Sequence, residues 1–188
     1  MEIFKQIRLK FGRSILQSRS ASVKRLKQNF DYNKVTRIGV IWDSTNEDDI
    51  KHIAAFNRKM AEEGKNVEVL TWIPGKMVSD RLTGLSYMKF FKKTDLNWTF
   101  IPSSEDTDKF AEKKFDLLID INPSGMFPLT YLSTVSPAAM KVGPDAEGDS
   151  NNSPYDLMIQ AGHPFNTALF LEQVLIYLVM ISNPETRA

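Results

Sequence analysis

Two rhythms of hydrophobic and polar residues run along this chain: a helical period up to about residue 34, then short apolar runs alternating with helical periods. At a helical step of about 100° per residue, Ile3, Phe4, Ile7, Phe11 and Ile15 fall within an arc of roughly 120°, flanked by Arg8 and Lys10. The first segment is therefore predicted to be a basic amphipathic helix. The stretch that follows it, SILQSRSASVKRLKQNF, is rich in Ser and basic residues with apolar Val23, Leu26 and Phe30, and fits a second short helix or a flexible arm equally well.

From Thr36 onward the grammar is that of βαβ units and a parallel sheet. RIGVIW reads as a first strand, uniformly apolar because both of its faces would be covered. Ser44 followed by Glu47 has capping-box spacing, and Ile50, Ile53, Ala54, Phe56, Met60 and Ala61 form a helical stripe that stops at Gly64. NVEVLTWI is the second strand; YMKFF fits a strand or a half-buried turn, and WTFI a further strand, with Ser103 or Ser104 placed to cap a helix through Lys113. FDLLIDI is the clearest strand, followed by the turn NPSG and a helix FPLTYLSTV that tolerates Pro128 in its first turn. AMKVG and YDLMIQ are the last strands, separated by the polar loop PDAEGDSNNSP. A closing helix from about Asn166 to Ile181 is apolar nearly all round, which predicts burial on every side.

Composition narrows the class. With 188 residues, 42% of them hydrophobic, the chain has the makings of a single ordinary soluble domain. It contains no Cys, which excludes a disulfide scaffold, thiolate chemistry and Cys-ligated metal, and fits the cytoplasm. MEIFKQIRLKFG lacks the uninterrupted apolar run of a secretory signal. The most apolar stretch, ALFLEQVLIYLVMI, is too short to span a bilayer and carries Glu172 and Gln173. Charge is distributed unevenly: residues 1–34 hold nine basic side chains against two acidic ones, a net of +7, and the remaining fifteen basic against twenty-one acidic give −6. A basic arm on a mildly acidic body calls for an electrostatic partner, which charge alone leaves open among anionic lipid, nucleic acid, another protein and the body itself.

In an open α/β sheet ligands bind beyond the carboxyl ends of the strands. Those ends carry Asp43 and Ser44, then Asp120, Asn122, Ser124 and Gly125, and finally His163 after the last strand. NPSG could cradle a phosphate, since Gly125 permits close backbone approach and the next helix offers its free N–H groups. A plain strand-to-helix turn explains it as well, for it matches no phosphate-loop motif and has no neighbouring Lys or Arg. The rim's acids would repel an anion, and could attract Mg²⁺ or Ca²⁺ through Asp43 and Asp120; the loop from Asp145 to Asp156 lacks the Gly and final Glu of an EF-hand. His163 is better placed than His52 to act as a base, with turn duty the alternative. No nucleophile elbow, zinc-protease or kinase motif appears, so no catalytic residue is assigned and no cofactor is specified.

FDLLIDINPSGMFPLTYLSTVSPAAMKVGP resembles the acceptor-side half of heptosyltransferase-type glycosyltransferases, in which a D-x-x-I-D strand precedes a helix and a strand ending at Gly. That resemblance implies a Rossmann-like half-domain; such enzymes close a cleft between two such domains, and a chain of this length has room for one. The whole chain is more similar to a family of small α/β proteins typical of Bacteroidetes, known as a domain of unknown function, in which a basic segment also precedes this strand pattern and a terminal helix like FLEQVLIYL.

The expectation is thus a basic helical arm over 1–34 and one three-layer, Rossmann-like α/β domain over 35–188 with a mostly parallel sheet. Its function is expected to be that of a non-enzymatic binding or protein-interaction module, self-associating or meeting a partner through the basic helix, with a membrane surface as a further option and nucleic acid disfavoured. The alternative is a nucleotide or sugar-phosphate binder, or an enzyme, using Asp43, Ser44, Asp120, Asn122, Ser124, Gly125 and His163, with or without a divalent cation.

Overall fold

The computed structural model describes residues 2–25, 30–75, 78, 80–145, 153–160 and 162–183. Among the described residues six strands, β1 (Arg37–Asp43), β2 (Asn66–Ile73), β3 (Met88–Lys92), β4 (Leu117–Ile121), β5 (Met140–Asp145) and β6 (Leu157–Gln160), form one sheet in the order β3-β2-β1-β4-β5-β6. Every pairing is parallel. This is the doubly wound Rossmann-like α/β architecture, with the winding direction reversing between β1 and β4.

The helices of the described residues are α1 (Glu2–Ser22), α2 (Ile50–Glu62), α3 (Asp80–Thr83), α4 (Glu105–Glu112), α5 (Phe127–Val135) and α6 (Thr167–Ser182). On one face of the sheet, Ile38, Val40, Trp42, Leu117, Ile119 and Ile121 pack against Ile53, Phe56 and Met60 of α2 and Phe170, Val174 and Leu178 of α6. On the other, Ile41, Leu70, Trp72 and Leu118 meet Phe110 of α4 and Leu129 and Leu132 of α5. Cover on both faces explains why the central strands are apolar at successive positions rather than at alternate ones.

Several local expectations give way to tertiary context. WTFI is not a strand: Phe100 takes a φ of 63°, and pairing in this segment is limited to an isolated antiparallel bridge between Leu96 and Pro102. Trp98 and Phe100 instead meet α1, while Ile101 joins the core on the α5 side. Ser44 does not cap the following helix; its hydroxyl donates to the Trp72 carbonyl, and a short 3-10 turn (Glu47–Asp49) leads into α2. Ser104 does cap α4, accepting from the Thr107 N–H. The last helix is not buried all round, because Leu169, Ile176, Tyr177, Val179 and Met180 on its outer face are 42–51% exposed. The loop over 146–152 lies outside the described residues.

Helix α1 docks on the α5 side of the sheet through Gly12 and its neighbours, and its Phe/Ile face meets the rest of the protein at Trp98, against which the Phe4 and Phe11 rings lie. Gly12 is buried against the Thr99 carbonyl and the Phe127 ring, so close that an added Cβ would lie 2.4 Å from that oxygen. Leu16 packs into the α5 side of the core. Three arginines finish the joint. The Arg8 Nε donates to the Trp98 carbonyl at 2.6 Å while its guanidinium sits 4.1 Å above the Phe100 ring. Arg19 donates to the Tyr131 hydroxyl. Arg25 donates to the Ala138 and Ala139 carbonyls at 2.9 and 3.1 Å and pairs with Asp156. Beside this joint, Ile3, Phe4, Ile7, Phe11 and Ile15 remain 36–78% exposed.

Gly12→Ala offers opposing effects of known sign. Helix propensity alone would stabilise the variant by about 1 kcal/mol, whereas forcing a methyl against a backbone carbonyl costs about 1–3 kcal/mol. Denaturant unfolding should show a net loss of stability; a gain would mean that α1 does not seat on Thr99.

Candidate functional site

The reversal of strand order brings the carboxyl ends of β1 and β4 side by side, with Ile41 of β1 in register with Asp120 and Trp42 with Ile121. Strand alternation then points Asp43, Asp120 and Asn122 towards the α5 side of the sheet. Asp43 and Asp120 are close enough for the charge of the first to disfavour ionisation of the second. The two carboxylates singled out in the sequence therefore share one edge on adjacent strands.

Most of this edge is engaged within the protein. One Asp43 oxygen accepts from the Thr45 N–H at 3.1 Å and from its hydroxyl, and the other accepts from the Ser124 hydroxyl at 2.8 Å. This ties the β1–α2 loop to the β4–α5 turn. Asn122 folds over the start of α5: its side-chain oxygen accepts from the Met126 N–H at 2.8 Å, and its amide nitrogen donates to the Met126 carbonyl at 3.2 Å and the Thr130 hydroxyl at 3.3 Å. Pro128 contributes no N–H. The donors that a phosphate would need are thus partly consumed by a side chain from the same turn. Gly125 supplies the turn with a φ of 61° and faces open space. Ser44 is buried under its bond to Trp72. His163 is exposed in the segment leading into α6, beyond the end of β6.

Asp120 is the least ordinary group of the set. It is fully buried, one oxygen accepting from the Ser133 hydroxyl of α5 and from the Tyr155 hydroxyl at 2.6 Å, the other buried with no hydrogen-bond partner among the described residues. Burial is the main force pushing its pKa up to about 7; the Ser133 and Tyr155 hydrogen bonds pull the other way, and Asp43 adds to the rise. Burial, and then the neighbouring Asp120 charge, raise the Tyr155 phenol as well. Gly143 makes this cluster feasible. The Tyr155 ring lies against its backbone, and a Cβ there would come within 2.3 Å of the ring. Ser133 and Tyr155 were not legible in the sequence because neither sits at the carboxyl end of a strand. The available signals were a hydroxyl on the sheet-facing side of an apolar helix and a glycine in mid-strand.

Lys141 is also buried, and its Nζ donates to the Thr134 carbonyl at 2.9 Å near the end of α5, where a cation favours the helix. Among the described residues no three His, Asp or Glu side chains come together as a metal-holding group. At the opposite, amino-terminal edge of the sheet, Lys24, Arg37, Lys114 and Phe115 line a cavity of about 400 Å³. Partial burial pushes the Asp116 carboxyl in that wall up, but the Thr36 and Arg37 N–H groups donating to it outweigh burial and hold it below its ordinary value.

Because the folded state raises the Asp120 pKa above its unfolded value, the protonated form is favoured on folding. The associated stability is fully present below about pH 4 and is lost as the pH rises through about 7. Comparing Asp120→Asn with the wild type by denaturant unfolding at several pH values should show the wild type losing ground between pH 4 and 7. The limit of that loss is on the order of 4 kcal/mol, from the rise of 3.8 to about 7 at 1.36 kcal/mol per unit. A difference that stays flat across this range would show an ordinary carboxylate.

No curated protein matches the chain. The model of DUF6913, a family of unknown function, matches residues 8–181, from within the basic helix to the last turns of α6, and the chain belongs to that family.

Proposed function

We propose that this chain is a non-enzymatic interaction module of the cytoplasm whose working surface is the outward face of α1, not the strand-end rim. The observation that carries this reading is the row Ile3, Phe4, Ile7, Phe11 and Ile15, left exposed although the helix itself is firmly seated. Trp98, half-exposed, extends the row sideways: the Phe4 and Phe11 rings lie 6.3 and 5.7 Å from it. A continuous apolar strip with polar borders is the usual mark of a contact surface. The rim gives weaker support, since Asp43, Asn122 and Ser124 are already engaged in holding two loops together.

A photo-crosslinking residue placed at Ile7 in cells should capture a partner molecule, and one placed at Ser124 should not. Capture from Ser124 alone, or from neither position, would overturn the reading. Ile3→Ser and Ile7→Ser should each change folding stability by no more than about 0.5 kcal/mol, as expected of surface positions.

A second reading, a small-molecule site at the rim, is favoured by one observation: the buried oxygen of Asp120, without a partner among the described residues, beside the reversal of strand order. A thermal-shift screen over nucleotides, sugar phosphates and divalent cations decides it. A bound ligand at 100 times its Kd should stabilise the fold by about 2.7 kcal/mol, with the gain lost in Asp120→Asn. A flat screen removes this reading.

A further inference from the structure

Resting on that reading of α1, we infer that its outward face lies on an anionic membrane surface, with the Phe/Ile row in the headgroup boundary and the α/β domain held on the water side. Three observations converge on this occupant.

The first is shape and composition. Ile3 to Ile15 make a straight strip about 18 Å long at 1.5 Å per residue, all on one side of a helix otherwise polar or docked. Phe and Ile on one face, Trp98 beside them and basic residues along the border are the composition of a helix that lies in the plane of an interface. The indole and phenyl rings suit the boundary between acyl chains and headgroups. Among the described residues no helix is long and apolar enough to cross a membrane, so contact through α1 would be peripheral.

The second is charge. The α1 segment carries Lys5, Arg8, Lys10, Arg13 and Arg19 against Glu2. Arg8 and Arg19 are occupied in docking the helix to the domain. Lys10 and Arg13, next to the apolar strip, have no hydrogen-bond or ion-pair partner among the described residues. A second copy laid on the same face would set these cations against their own counterparts, a repulsion that strengthens as water leaves the interface. An anionic bilayer turns the same charges into attraction. The outer face of α6 offers no such attraction, since Glu172 is the one charged residue of that helix.

The third is pre-organisation. Gly12, Leu16, Arg8 and Arg19 clamp the helix to Thr99, Phe127, Trp98 and Tyr131, so the strip is already ordered and points away from the domain. Little conformational entropy remains to be lost when it meets a flat surface.

Flotation of the full chain with vesicles tests this. The protein should float with vesicles of equal parts phosphatidylglycerol and phosphatidylcholine, remain behind with phosphatidylcholine alone, and detach as salt is raised. Ile7→Ser should abolish flotation, and Lys10→Glu with Arg13→Glu should weaken it at least about tenfold, each with an unchanged melting temperature. Lys59→Glu on α2 serves as the charge control and should float as the wild type does. Equal binding to neutral vesicles, no flotation at all, or indifference to the charge reversal would each overturn the inference. So would a dimer in light scattering that dissociates in Ile7→Ser, because a second copy would then be the occupant. If the crosslinker at Ile7 captures a protein while vesicles fail to float the chain, the interaction module stands and the lipid surface falls. If both experiments fail, both readings fall.

Discussion

A parallel sheet must be covered on both faces, because each crossover between strands lays a helix or loop across one of them. That requirement organises this protein. It makes Ile38, Ile41, Leu117 and Leu118 equally buried although they point to opposite sides, and it assigns α2 and α6 to one face and α4 and α5 to the other. The reversal of winding between β1 and β4 then follows from connectivity, and it sets Asp43 beside Asp120 without either residue contributing to the choice.

The basic arm solves a different problem. Its positive charge is partly spent on the domain, but on carbonyls, rings and a hydroxyl more than on acids: Arg8 meets the Trp98 carbonyl and the Phe100 ring, Arg19 the Tyr131 hydroxyl, and Arg25 two carbonyls near the start of β5 as well as Asp156. A planar guanidinium with several fixed donors suits such mixed partners better than an ammonium does. Lys10 and Arg13, on the border of the strip away from Arg8, are left for whatever the strip meets. The same helix can therefore be docked and still face outwards with a basic, apolar surface.

How much was legible in the sequence differs from element to element. NVEVLTWI and FPLTYLSTV match β2 and α5 residue for residue, since both have strong local pattern and punctuation at each end. WTFI failed because Trp98 and Phe100 serve α1 rather than a neighbouring strand, and a strand without a partner has nowhere to place its backbone hydrogen bonds. Of the rim residues, Asp43, Asn122 and Ser124 do come together. Their engagement in loop-to-loop and capping bonds was beyond reach of the sequence, because it depends on side-chain geometry across two separate turns. Tyr155 was hidden for the same reason, its hydroxyl reaching Asp120 from 35 positions away along the chain.

Local pattern by itself determined the α/β class, most of the strand and helix succession and the amphipathic character of the arm, because periodicity of 2 or 3.6 is written directly in residue order. Tertiary structure decided which side of each amphipathic helix is covered. For α1, a glycine small enough to approach the Thr99 carbonyl defines the docking face, and it is not the most apolar face of the helix. For α6, a sequence apolar nearly all round is buried on one side alone, because a single layer of helices on that face of the sheet leaves its other side without a neighbour among the described residues.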